Sequence, residues 1–118
     1  LVKKYPWAVP TVNETKNWAL TMSRQMYPHD DGLWDHQDAF RHAHWNEHMA
    51  HRLGQGIAAE FATAHESTSS GNDKKMDLHN NAVGRAHAGE GHDKLRQLAR
   101  WGYFRVFGGN GDLVPIWY

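Results

Sequence analysis

From Asp35 to Leu53 the chain contains neither proline nor glycine, and this unbroken stretch constrains the fold more than any other. It is expected to form one helix, and at about 100° per residue Asp38, His42, Trp45, Asn46, Met49 and Leu53 fall on one face. Trp45, Met49 and Leu53 make an apolar stripe, which a carboxylate and an imidazole continue toward the helix start. Burying either group alone is costly, but at i and i+4 they can satisfy each other. Arg41 stands beside the pair, within reach of a phosphate or carboxylate. The opposite side carries Phe40, His44, His48 and His51, so these three imidazoles are expected to face solvent.

A second helix, expected from Lys74 to about Ala88, repeats the pattern. Asp77, Asn81, Gly84, Arg85 and Ala88 share a face with Asn80 at its edge. Gly84 and Ala88 would let another backbone come close, so this helix is expected to pack on the first, with Asp38 and His42 facing Asp77, Asn81 and Arg85. His65 and Glu66 end an Ala-rich run from Ile57 and could reach the same place. Two inward polar stripes forgo the stability that apolar residues of the same size would give, which points to a site. The competing reading is a structural network that fixes helix register.

The rest of the chain is consistent with helices around this pair. Residues 1–10, with Pro6 and Pro10, read as an extended lead-in that packs Tyr5 and Trp7 on the body. Thr11 to Glu14 reads as a capping box for a helix running to Tyr27, with Trp18 and Met22 among its core residues and Pro28 as its stop. Gly54 and Gly56 mark a joint, Ser67 to Asp73 a loop, His92 to Trp101 a short helix, and the tail around Gly108 to Gly111 a hairpin. The expected fold is therefore mainly α, a compact bundle of four to five helices with a short C-terminal β-hairpin, and residues 1–118 form one domain. At 40% hydrophobic residues the chain can bury a core. The absence of cysteine excludes disulfides, thiolate catalysis and Cys-based metal sites. Formal charge is +0 with ten histidines counted neutral, which does not suit a constitutively basic nucleic-acid surface. No stretch is apolar enough for a transmembrane segment.

The segments Asp38-Ala39-Phe40-Arg41-His42-Ala43-His44-Trp45-Asn46, Ala64-His65-Glu66 and Met76 to Arg85 resemble a family of little-characterised bacterial domains. These sit at the C-termini of polymorphic toxins and secreted effectors. The shared pattern is D-A-x-R-H-x-x-W-N, then A-H-E, then M-D-x-x-N-N-x-x-G-R, and the flanks before Asp38 and after Arg85 carry no match to it. The resemblance implies an antibacterial effector domain, cut from a longer chain that would explain a start at Leu1. It also implies secretion or delivery into a target bacterium, with action in the periplasm, and a cognate immunity protein as partner.

The leading functional expectation is a hydrolase acting on a phosphate-containing ester, such as a phospholipid or a lipid-linked envelope precursor. Asp38 would orient His42, the general base; Arg41 and Arg85 would hold a phosphate or oxyanion; Trp45, Asn46, Asn80 and Asn81 would contact substrate. His65, Glu66 and Asp77 would bind a divalent metal such as Zn, Mn or Ca, with Asp77 also counted as catalytic. The alternatives are a metal-dependent nuclease toxin, and a non-catalytic binding or membrane-disrupting domain working through Tyr103, Phe104, Phe107, Trp117 and Tyr118.

Overall fold

In the computed structural model, residues 4–28, 36–66, 71–107 and 113–115 are described. Five helices account for most of them: α1 (Val9–Met26), α2 (His36–Leu53), α3 (Gln55–His65), α4 (Gly71–Ala86) and α5 (Gly91–Arg100). Two short extended segments follow, Arg105–Phe107 and Leu113–Pro115. The expected turn between them lies outside the described residues. No helix among the described residues is long and apolar enough to cross a membrane.

The long unbroken stretch forms the hub. Helix α2 packs against α1, α3, α4 and α5, so it has almost no wet side. Ala39, Phe40 and Ala43 join Tyr27, Leu95, Leu98, Ala99 and Phe104 in one apolar cluster. Trp45, Met49 and Ala50 join Ala19, Ala58 and Ala62 in another. The polar face of α2 is left to α4. Phe104, one of the tail aromatics, is thus core rather than working surface.

This arrangement overturns the solvent-side expectation for His44. Its ring stacks on Phe40 at 5.6 Å and lies 6.2 Å from the rings of His48 and His92, with only 2% of its surface exposed. His48 is half-buried and His51 exposed. The helical wheel shows one apolar stripe on α2, but Ala39, Phe40 and Ala43 make a second, and α5 covers it. Burial, with smaller contributions from His48 and His92, pushes the His44 pKa down to about 4.

A proton on His44 therefore favours the unfolded chain. The stabilising contribution of the neutral ring is complete above its ordinary pKa and is lost as pH falls toward the folded value, by up to about 3 kcal/mol. Other buried groups also titrate, so the informative quantity is the stability difference between wild type and His44→Leu. Chemical denaturation should show that difference moving in favour of the variant by about 3 kcal/mol between about pH 7 and pH 4. A difference independent of pH would mean that His44 is not held neutral.

Helix starts and stops depart from expectation in instructive ways. Helix α1 begins at Val9 with Pro10 in its first turn and no side-chain cap, so the Thr11 to Glu14 capping box does not form; proline's fixed φ suits that first turn. Its buried stripe is Thr15, Ala19 and Ser23, small residues four apart that bring α1 close to α2. The hydroxyls of Thr15 and Ser23 bond back to the carbonyls of Thr11 and Leu20 at 2.8 and 2.9 Å. Trp18, expected in the core, is 47% exposed as a result. In the lead-in Tyr5 packs, donating to Glu60 at 2.6 Å and lying 6.1 Å from Phe61, whereas Trp7 is exposed. Gly54, at φ 88°, is the joint before α3, and Gly56 is helical. Gly71 to Asp73, read as loop, open α4; small polar residues that favour loops also suit a helix's unpaired first turn.

Helices α2 and α4 meet closely at Gly84. A Cβ built there would stand 2.1 Å from the carbonyl oxygen of Ala43, so only glycine permits this approach. The contact sets Asp38, His42 and Asn46 of α2 opposite Asp77, Asn81 and Arg85 of α4.

Candidate functional site

His42 is the centre of the polar layer, 8% exposed. Its Nδ1 lies 2.9 Å from the Asp38 backbone carbonyl and 3.1 Å from Asp38 Oδ1. On the other edge of the ring, Nε2 faces Asp77 Oδ1 at 3.4 Å and Glu66 Oε1 at 3.5 Å. Three carboxylates from three parts of the chain thus surround one imidazole. Asp38 comes from one turn earlier on α2, Glu66 from the residue that closes α3, and Asp77 from the middle of α4. Arg41 donates to Asp38 Oδ1 from the outer side.

The electrostatics follow from this crowding. Burial alone would strip His42 of its proton, but Asp38, Glu66 and Asp77 overcome it and push its pKa up to about 10. Asp77 moves the other way from an ordinary carboxyl. Burial and the negative charges of Glu66 and Asp38 outweigh His42 and push it up to about 7. Burial, the largest single influence, pushes Glu66 up, but its bond to His42, the His42 charge, its bond to Asp77 and the nearness of His65 together hold it below its usual range. In the metal-free chain His42 is therefore an imidazolium near neutral pH, which does not suit the general-base role expected for it. Asp77 is the group poised to exchange a proton there.

The expected metal set of His65, Glu66 and Asp77 does not assemble. Glu66 turns inward and is 2% exposed, whereas His65, its neighbour on the helix, points about 100° away and sets its ring against Trp45 at 5.1 Å. Among the described residues, Asp38, His42 and Asp77 could hold a metal ion, each offering one ligand atom, all within 4.8 Å of one another.

The residues expected to touch substrate divide. Asn46 is fully buried; its amide donates to the His42 carbonyl and to Asn81 Oδ1, both at 2.9 Å, and its Oδ1 accepts from Arg85 at 2.8 Å. Arg85 is thereby tied to Asn46 and linked to His42 only through it, not aimed at an oxyanion beside His42. Asn80, also fully buried, clasps the backbone of Arg105 through both amide atoms. Asn46, Asn80 and Asn81 thus join helix to helix and helix to tail, and their burial corrects the substrate-contact expectation. Trp45, although 4% exposed, does border open space. A cavity of about 260 Å³ is lined by Trp45, His42, Arg41 and His65 together with Lys16, Asn17 and Leu20 of α1. Lys16 carried no sequence signal, because its place depends on how α1 crosses α2. Glu47 was equally silent; it is buried and accepts from the Gly89 backbone N–H at 2.8 Å.

An all-helical domain with one histidine enclosed by three carboxylates beside a cavity is the class that fold and site define. The chain belongs to the family DUF6973, a domain of unknown function, whose profile matches residues 1–100. That span takes in α1 and α5 as well as the three motif segments. No curated protein and no solved structure matches the chain.

Proposed function

We propose that this domain is a hydrolase acting on a phosphate-containing ester, with a divalent metal held at His42. One observation carries the reading: the Nε2 edge of a buried imidazole faces two carboxylate oxygens at 3.4 and 3.5 Å while Nδ1 is held by Asp38. Two ligands on one tetrahedral zinc, each at about 2.0–2.2 Å, stand roughly 3.3–3.5 Å apart. Asp77 Oδ1 is buried and faces Nε2 without a hydrogen bond of good geometry, an acceptor suited to a cation. His42, Asp77 and Glu66 would hold the ion, and Asp38 would keep the proton on Nδ1 so that Nε2 is the donor atom. A bound divalent ion supplies Lewis acidity and a water of lowered pKa. Mixed imidazole and carboxylate donors favour Zn or Mn over Ca.

The chain's own residues supply the rest. Asn46 holds the carbonyl end of the His42 turn, and Arg41, on the cavity wall, holds Asp38 in place. The site's burial limits bulk water around the reacting ester. Delivery into a target bacterium, action in the periplasm and a cognate immunity protein belong to this proposal through the motif resemblance. So does a C-terminal hairpin in which Arg105–Phe107 pairs with Leu113–Pro115, steadied by the grip of Asn80 on Arg105.

The test is direct. Purified domain is incubated with labelled phospholipid, lipid-linked envelope precursor, RNA and DNA, with and without EDTA. Hydrolysis of a phosphate ester that stops in EDTA, returns with Zn or Mn, and is lost in Asp77→Asn is the expected result. Cleavage of RNA or DNA alone would make the domain a nuclease. Activity unchanged by EDTA would remove the metal, and toxicity in bacteria retained by both His42→Ala and Asp77→Ala would sink the catalytic reading.

A further inference from the structure

The cavity beside His42 is not closed. Lys16, Trp45 and His65 line it and also line a second, more open cavity of about 380 Å³, which continues past Trp45 to Val12, Phe61 and Ala64. The two therefore form one groove between α1 and the end of α3, with the edge of Trp45 as its waist. Its two halves differ in chemistry. The inner half gathers Lys16, Arg41 and His65 around His42. The outer half is apolar apart from Asn13 and the shared Lys16 and His65.

Two side chains that stay cationic, Lys16 and Arg41, line the inner half beside His65. Lys16 has no carboxylate partner among the described residues. Two cations on the wall of one cavity favour an anion between them.

We propose that this groove binds an amphiphile: a single phosphate head between Lys16, Arg41 and His65, and an aliphatic chain laid over Trp45 toward Phe61. This rests on the hydrolase reading above and names its substrate class as a lipid phosphoester. A polynucleotide would need cations to continue along the groove to meet successive phosphates. Here the outer half brings no cation beyond the shared Lys16 and His65, and Val12, Phe61 and Ala64 make the rest of its wall with Asn13. The aliphatic chain replaces water on those side chains, which is the favourable term for its burial.

Binding can be read apart from turnover. Titration calorimetry of the purified chain in EDTA, with probes below their micelle concentrations, compares dodecyl phosphate, dodecyl maltoside, inorganic phosphate and a short single-stranded DNA. Dodecyl phosphate should bind at least about tenfold more tightly than each of the others. Lys16→Glu, on an exposed turn of α1, should weaken it by about tenfold or more. Ala64→Trp, which fills the outer half from an exposed position, should abolish the advantage over inorganic phosphate. Circular dichroism confirms that both variants are folded. Equal affinity for dodecyl phosphate and inorganic phosphate, wild-type binding by both variants, or tighter binding of the DNA would each overturn the proposal. Binding as expected with no hydrolysis of any ester would keep the groove and reject the hydrolase reading. Metal-dependent hydrolysis without dodecyl phosphate binding would do the reverse.

Discussion

Gly84→Val should leave little folded protein, and Gly84→Ala should lower the thermal unfolding midpoint by about 10 °C or more. A methyl group at this position would stand 2.1 Å from the Ala43 carbonyl oxygen, with Ala43 Cα and carbonyl carbon at 2.8 Å. All three are backbone atoms of the central helix, so no side chain can rotate away to make room. Either α4 moves off α2 or the backbone distorts. Overpacking of this kind costs about 1–3 kcal/mol in ordinary cores and more where relief is blocked. Separating the helices would also loosen the Asn46–Asn81 bond and the approach of Asp77 to His42, so the alanine variant should lose the site along with stability. A melting curve of Gly84→Ala that overlays wild type would show that the helices do not approach this closely.

His42→Ala in EDTA should destabilise the domain by about 3–5 kcal/mol, the usual cost of removing one partner from a buried ionic cluster. The loss is not chiefly one of packing. Without the imidazolium, Asp38, Glu66 and Asp77 face one another across the vacated space, and Arg41, on the outer side of Asp38, bonds one of the three. The penalty should shrink at low pH, where the carboxylates take up protons, and shrink again as pH rises from the ordinary histidine value toward about 10, where His42 of the wild type loses its own proton. Neutralising one carboxylate should repair part of it. Asp77→Asn in the His42→Ala background should recover about 1–3 kcal/mol, a coupling measurable by a double-mutant cycle in denaturant. Strict additivity of the two substitutions would mean that His42 and Asp77 do not interact.

Much of the helical framework could be read from residue order. The absence of Pro and Gly between Asp35 and Leu53 announces α2, and the inward polar faces of α2 and α4, with Gly84 as the small residue between them, announce their pairing. Helix ends were harder, because Pro10 and Gly71 can serve on either side of a helix start. His44 shows the limit most clearly. A wheel drawn for one helix takes the larger apolar stripe as inward and the rest as outward, whereas a hub helix is covered on every side. Glu66 and His65 show the same limit at the site: adjacent in sequence and equally suited to bind metal, they are separated by one helical step, which sends Glu66 to His42 and His65 to the groove.

The sequence by itself determined which residues would have to be buried in pairs. Asp38 and His42 lie one turn apart on any helix built from this stretch, because that spacing is a local property of the backbone. Only the tertiary structure decided what stands at the other edge of the ring. The arrival of Glu66 and Asp77 at Nε2, and of Lys16 at the cavity, depends on where the end of α3, the middle of α4 and the face of α1 come to rest against α2. That placement is settled by the close approach at Gly84 and by the small stripe of Thr15, Ala19 and Ser23, contacts between residues far apart in the chain. It turns a helix-local Asp–His pair into a three-carboxylate centre with a groove leading to it.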